Sequence, residues 1–136
     1  SIAEVLQLAR SADVLLFSLG AISHESVLVK SGNVKPADEH LLRQRGAVGD
    51  AVGRFVDSTG NPASPELEER SIGLDLADVL SARRAVAVAS GEAKHAVAGA
   101  CVRRGLCRVL VTDEHTAAHL IRHLAAPDQP NERTTS

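Results

Sequence analysis

The sequence predicts an α/β domain, three-layered and Rossmann-like, with a mainly parallel sheet. Three observations carry this. Residues 14–20 form a continuous apolar run closed by Gly20, the pattern of a strand buried on both faces of a parallel sheet. Residues 85–117 read as strand, glycine turn, helix, strand and the start of a further helix, and two apolar strands joined by one helix make a right-handed parallel crossover. The 136 residues, 44% hydrophobic and 24% charged, suffice for one domain with its own core.

The elements follow in order. Ile2, Val5, Leu6, Leu8 and Ala9 fit one face of an opening helix, with Ser1 as its cap. The strand at residues 14–20 comes next, with Gly20 allowing a sharp turn at its carboxyl end. Residues 21–32 fit a loop with a short helix around 25–29. Pro36, Asp38 and Glu39 open a helix, Leu41 and Leu42 are its apolar face, and Gly46 stops it. Residues 46–57 mix apolar residues and glycines without helical spacing, predicting one strand bulged at Gly49 or Gly53. Residues 58–62 are a turn, residues 65–70 a polar connection and residues 71–74 an extended piece. Asp75 caps a small helix to Leu80. Val86 and Val88 begin the crossover, Ser90-Gly91-Glu92 is its turn, residues 93–104 its helix and residues 108–111 the returning strand. Thr112 or Asp113 caps the last helix, whose stripe is Ala117, Leu120, Ile121 and Leu124. Residues 1–125 are thus the folded unit, and the polar, proline-containing residues 126–136 a disordered tail.

Composition excludes several functions. Phe17 and Phe55 are the only aromatics, too few for a platform that stacks single-stranded nucleic acid. The net charge is −2 with scattered Lys and Arg, which gives no electrostatic footprint for DNA. No apolar run is long enough to span a bilayer and no signal peptide opens the chain. Cys101 and Cys107 flank one helix end and fit buried, reduced thiols of a cytoplasmic protein. The chain holds no Met and opens directly in a helix pattern, as a piece of a longer protein would.

Ligands of parallel sheets bind at the carboxyl ends of strands, where Ser90-Gly91 and Thr112-Asp113 fall. A glycine after a strand brings backbone N–H groups close to a ligand, the helix start adds a positive dipole, and Lys94 adds a full charge. Together they suit a phosphate or sugar phosphate. A plain strand-to-helix turn with a solvated lysine fits equally well. Asp57, at a strand end, either accepts bonds from sugar hydroxyls or shapes its own turn. Asp50 is either exposed or paired with an arginine. Thr112-Asp113-Glu114 reads first as a helix cap. His115, His119 and His123 recur every fourth residue, a spacing that can bind metal. No Cys or acid completes a site, so a solvated or interface stripe is the better reading and no metal or cofactor is expected. His95 reads as a surface residue.

Taken together, residues 14–20, Gly46 to Asp50 with Phe55-Val56-Asp57 and Gly60, Ser71-Ile72-Gly73-Leu74, Ser90-Gly91-Glu92-Ala93-Lys94, and Val109 to Glu114 with Thr116-Ala117 resemble the effector-binding domain of SorC-type bacterial transcriptional regulators. The resemblance runs through residue 124. It implies a sensor of phosphorylated sugars on a fold similar to sugar-phosphate isomerases and deaminases. It also implies a homo-oligomer that contacts DNA only through an N-terminal helix-turn-helix domain, which this chain lacks, and no membrane. Gly91 and Lys94 match the family's Gly-x-x-Lys turn, Asp57 an acidic strand end near the sugar and Gly20 the glycine at the pocket. Ser90 stands where the family commonly has a glycine, and nothing here matches its Gly- and Ser/Thr-rich phosphate loop. The chain therefore reads as the C-terminal part of such a domain. Its expected ligand-binding residues are Gly20, Asp57, Ser90, Gly91 and Lys94, with no catalytic residue. The alternatives are a sugar-phosphate isomerase or deaminase using Lys94 or Asp57 for proton transfer, and an interaction module without ligand. Residues 21–32 and the last helix are the expected partner-facing surfaces.

Overall fold

The computed structural model describes residues 1–22, 30–32 and 34–124. The helix expected around residues 25–29 and the tail beyond residue 125 lie outside the described residues.

Local signals set most boundaries. Helix α1 (Ile2–Arg10) starts at a capping box in which the Ser1 hydroxyl accepts from the Glu4 N–H at 3.3 Å. Strand β1 (Leu15–Ala21) runs one residue past Gly20, so this glycine makes no sharp turn. Helix α2 (Pro36–Gln44) has proline in its first turn. The stretch expected as one bulged strand is a hairpin of β2 (Ala47–Ala51) and β3 (Arg54–Asp57), with a register irregularity between Ala47 and Gly49. Its turn residues Val52 and Gly53 both have positive φ, 52° and 76°, as a tight two-residue hairpin loop requires. The expected polar connection is helix α3 (Pro65–Arg70), capped by Ser64. Asp75 caps α4 (Leu76–Ser81) as expected. Strand β4 (Ala85–Val88), a 3₁₀ turn (Glu92–Lys94), helix α5 (His95–Arg104) and strand β5 (Val109–Val111) make the crossover. Gly105, at φ 74°, closes α5. Helix α6 (Glu114–Leu124) follows. No helix among the described residues is long and apolar enough to cross a membrane.

The sheet order is β3-β2-β1-β4-β5. β1, β4 and β5 are parallel, but β2 and β3 join antiparallel. The sheet is therefore mixed: the expected parallel part is β1, β4 and β5, while β2 runs against both its neighbours, and the turn at Val52–Gly53 splits what looked like one strand into β2 and β3.

Side chains alternate across the sheet. One face carries Phe17, Leu19, Ala51, Val56, Ala85 and Ala87, packed in one cluster with Val97 and Cys101 of α5, Leu120 of α6 and Val79 of α4. On the other face Phe55 joins Val34, Leu42 and Leu67 under α2 and α3. That second cover stops at β2. Beyond it, Leu16, Val86 and Val109 lie in one row and Ser18, Val88 and Val111 in the next. Leu16 is 66% exposed, Val109 and Val111 52% each. Among the described residues the third layer is thus half complete. The hairpin is tied down by the buried Arg54, whose guanidinium donates to the carbonyls of Glu68, Gly73 and Leu74 at 3.0–3.1 Å, and to the Glu68 carboxylate at 3.3 Å.

Candidate functional site

The carboxyl end of β1 builds the first half of the site. Gly20 pairs with Asp50 of β2. A Cβ at position 20 would collide with the Asp50 carboxylate, so the glycine is there to make room. Asp50 is half-buried, and its Oδ2 accepts from the Gly53 N–H at 3.3 Å. Burial pushes its carboxyl pKa up, while the Gly53 N–H and the positive charge of Lys94 pull against that. Asp50 is thus neither exposed nor arginine-paired. The Lys94 charge acts on it, although Lys94 makes no ion pair within 4 Å with any carboxylate among the described residues.

The turn after β4 builds the second half. Gly91 sits at φ 96°, ψ 153°, a region essentially reserved for glycine. Its N–H, expected to face a ligand, donates instead to Asp113 Oδ2 at 2.8 Å. Asp113, rather than Thr112, caps α6: its Oδ1 accepts the Thr116 N–H at 2.8 Å, and its Oδ2 the Thr116 hydroxyl at 2.7 Å. The Gly91 and Thr116 donors hold the Asp113 carboxyl well below the usual carboxylate range. The Thr112 hydroxyl is buried without a hydrogen-bond partner. Ser90 is exposed beside the turn.

A network extends from there. His95 is half-buried rather than a surface residue, with Nε2 3.0 Å from Thr116 Oγ1. Its ring stacks on His119 at 4.3 Å between centroids, and His119 stacks on His123 at 4.0 Å. No group of three His, Cys, Asp or Glu among the described residues could hold a metal ion.

Asp57 lies apart from these residues. Its Oδ1 accepts the Thr59 N–H and hydroxyl at 2.9 and 2.6 Å and the Asn61 N–H at 3.1 Å. The turn it builds packs Gly60 against Ala100 and Arg104, at the carboxyl end of α5. Lys94 is at the amino end, and ten helical residues span about 15 Å. An open cleft of about 470 Å³ between the hairpin turn and α3 is lined by Arg54 and Arg70. Both are already committed, Arg54 to backbone carbonyls and Arg70 to Asp38 at 3.1 Å. The structure therefore brings together Gly20, Gly91 and Lys94, adds Asp50, which sequence reasoning left unassigned, and sets Asp57 aside. An acid in the middle of an otherwise apolar strand was the available signal. The glycine opposite it appears only once the strands are paired.

Residues 1–122 match a family model described as "Putative sugar-binding domain". The chain belongs to that family. A curated relative, the deoxyribonucleoside regulator of Bacillus subtilis, is 31% identical over 123 residues, covering 90% of this chain and 39% of the relative. A DeoR family transcriptional regulator from Listeria monocytogenes superposes with a TM-score of 0.82 at 27% identity, covering 87% of this chain and 48% of that one. The full-length sorbitol operon regulator SorC of Klebsiella pneumoniae shares the fold, with a TM-score of 0.78 at 23% identity over 88% of this chain and 39% of its own. The SorC-type resemblance read from the sequence is thus met. This chain spans about two fifths of the length of the curated relatives it matches.

Proposed function

We propose that this sugar-binding domain is the ligand-sensing part of a transcriptional regulator, and that its carboxyl edge supplies one wall of a sugar-phosphate site. The observation that carries the reading is the placing of the Glu92–Lys94 turn against β1, where Asp50 packs on Gly20 and feels the Lys94 charge. A lysine on a helix's first turn suits a phosphate, and a half-buried carboxylate suits sugar hydroxyls, which donate to it. Gly91, strapped to Asp113, fixes where Lys94 starts, so its part is shape rather than a direct hydrogen bond. Ser90 adds an exposed hydroxyl beside the turn. Relatives named as regulators support a sensor over an isomerase or deaminase. In this reading DNA contact, oligomer formation and the opposite phosphate wall come from elsewhere in a complete regulator, working in the cytoplasm.

Calorimetric titration of the whole regulator with phosphorylated pentoses and hexoses tests this. Lys94→Ala removes one charge-assisted contact and should weaken binding roughly 10- to 100-fold, from about 1.5–3 kcal/mol. Unchanged affinity in that variant overturns the assignment.

A further inference from the structure

We infer that Thr116 and His95 are positioning residues for the Gly91–Lys94 turn, and that the stacked rings of His95, His119 and His123 make the set of that turn respond to protonation.

The proton count fixes the direction of each bond. Thr116 is fully buried and has one hydroxyl proton. Two acceptors cannot share it, and the Asp113 carboxylate at 2.7 Å is the stronger claimant. Thr116 Oγ1 must then accept from His95, so His95 carries its proton on Nε2. His123 Nδ1 lies 2.7 Å from the His119 carbonyl oxygen, which can only accept, so His123 is protonated on Nδ1. The line from Gly91 to His95 is thus continuous and converges on Asp113: His95 donates to Thr116, and the Thr116 hydroxyl and the Gly91 N–H both donate to Asp113 Oδ2. It joins the turn before α5 to the start of α6.

The stack gives this line its sensitivity. His119 lies against His95 of α5 and His123 of α6. Arg122 of α6 and Glu92 of the 3₁₀ turn also act on it. Three of these four neighbours, His95, His123 and Arg122, work against a charge on His119, and among the described residues Glu92 works for one. Burial and the neighbouring positive groups move the His119 pKa down from its ordinary value. His119 is therefore harder to protonate than a free imidazole. Rings whose centroids lie 4.0 and 4.3 Å apart disfavour a second charge once one is present. Acidification charges the stack and parts the rings, and the change reaches Gly91 through Thr116 and Asp113. What this does to a ligand rests on the proposed role of Lys94. The coupling itself does not, and it is tested without ligand.

The test follows the Gly91 amide and the histidine ring signals by NMR from pH 8 to pH 5. In the wild-type chain the Gly91 amide should shift together with the His119 ring, and His119 should titrate below about 6.5, the ordinary histidine value. His95→Gln keeps a donor for Thr116 but cannot titrate, so Gly91 should keep its pH 8 shift and lose its pH response. Thr116→Val cuts the line, so His119 still titrates and Gly91 no longer follows. A flat Gly91 amide in the wild type, or a wild-type response in either variant, overturns the inference. Failure to bind sugar phosphates would count against the proposed function and leave this coupling intact.

Discussion

Gly20 allows the site to be tested through stability alone. Its backbone is outside the left-handed region, so alanine can adopt it without backbone strain. In isolation Gly20→Ala should stabilise by about 0.4–1 kcal/mol, because it restricts the unfolded chain. The new Cβ, however, would collide with Asp50 Oδ1 and sit 3.0 Å from its Cγ. The carboxylate must swing away. It gives up the Gly53 N–H, about 0.5–1.5 kcal/mol, and takes a strained rotamer, about 0.5–1.5 kcal/mol. The net is a loss of roughly 0.5–2 kcal/mol. With Asp50→Ala the obstacle is gone and Gly20→Ala should stabilise, giving a coupling of about 1–3 kcal/mol across the double-mutant cycle. Urea denaturation of the four proteins, followed by circular dichroism, measures it. Equal effects of Gly20→Ala in both backgrounds would refute the contact and the site geometry built on it.

Two further outcomes are expected. Arg54→Met strands three carbonyls and the Glu68 carboxylate around a buried site, so it should cost about 3–5 kcal/mol in denaturant unfolding, and a cost below about 1 kcal/mol would contradict this anchoring. Glu66 is held at a pKa of about 2, first by its hydrogen bonds from Arg45 at 2.7 and 2.9 Å. A lowered carboxyl pKa contributes stability above its ordinary value and loses it as pH falls through the folded value, here from 4.5 toward about 2. Arg45→Gln should return the Glu66 titration, read by carboxyl NMR, toward 4.5.

What could be read from the sequence was local. Ser1, Asp75 and Gly105 mark helix ends through caps that depend on neighbours three or four residues away. The crossover from β4 to β5 shows itself by the length and spacing of its apolar runs. The hairpin did not, because Val52-Gly53 lacks the usual turn composition and a β-branched residue at φ 52° is a position that tertiary packing must impose. Helix α3 was hidden because Leu67 is its only apolar residue, which leaves no stripe to detect. The 119/123 spacing was visible, but His95 belongs to another helix, and only the packing of α5 on α6 brings it into the stack.

Asp50 and the uncovered aliphatic rows share a face. Gly20 follows Leu16 and Ser18 by strand alternation, and Asp50 points away from the face where Gly49 meets Val97. A ligand gripped by Asp50 and Lys94 would rest with one side on β1 and its other side open, next to Leu16, Val88 and Val111. Any element that covers those side chains would also close the site. Burying them contributes roughly 25 cal/mol per Å² of apolar surface, and the same closure removes water from around the Asp50 carboxylate. Ligand occupancy and the docking of that cover would then be linked, and each would strengthen the other by the same free energy. That reciprocity is what a sensor needs and a rigid binding pocket lacks. Burial raises the folded-state pKa of Asp50, so its proton-linked stability is complete at low pH and is lost as pH rises through that pKa.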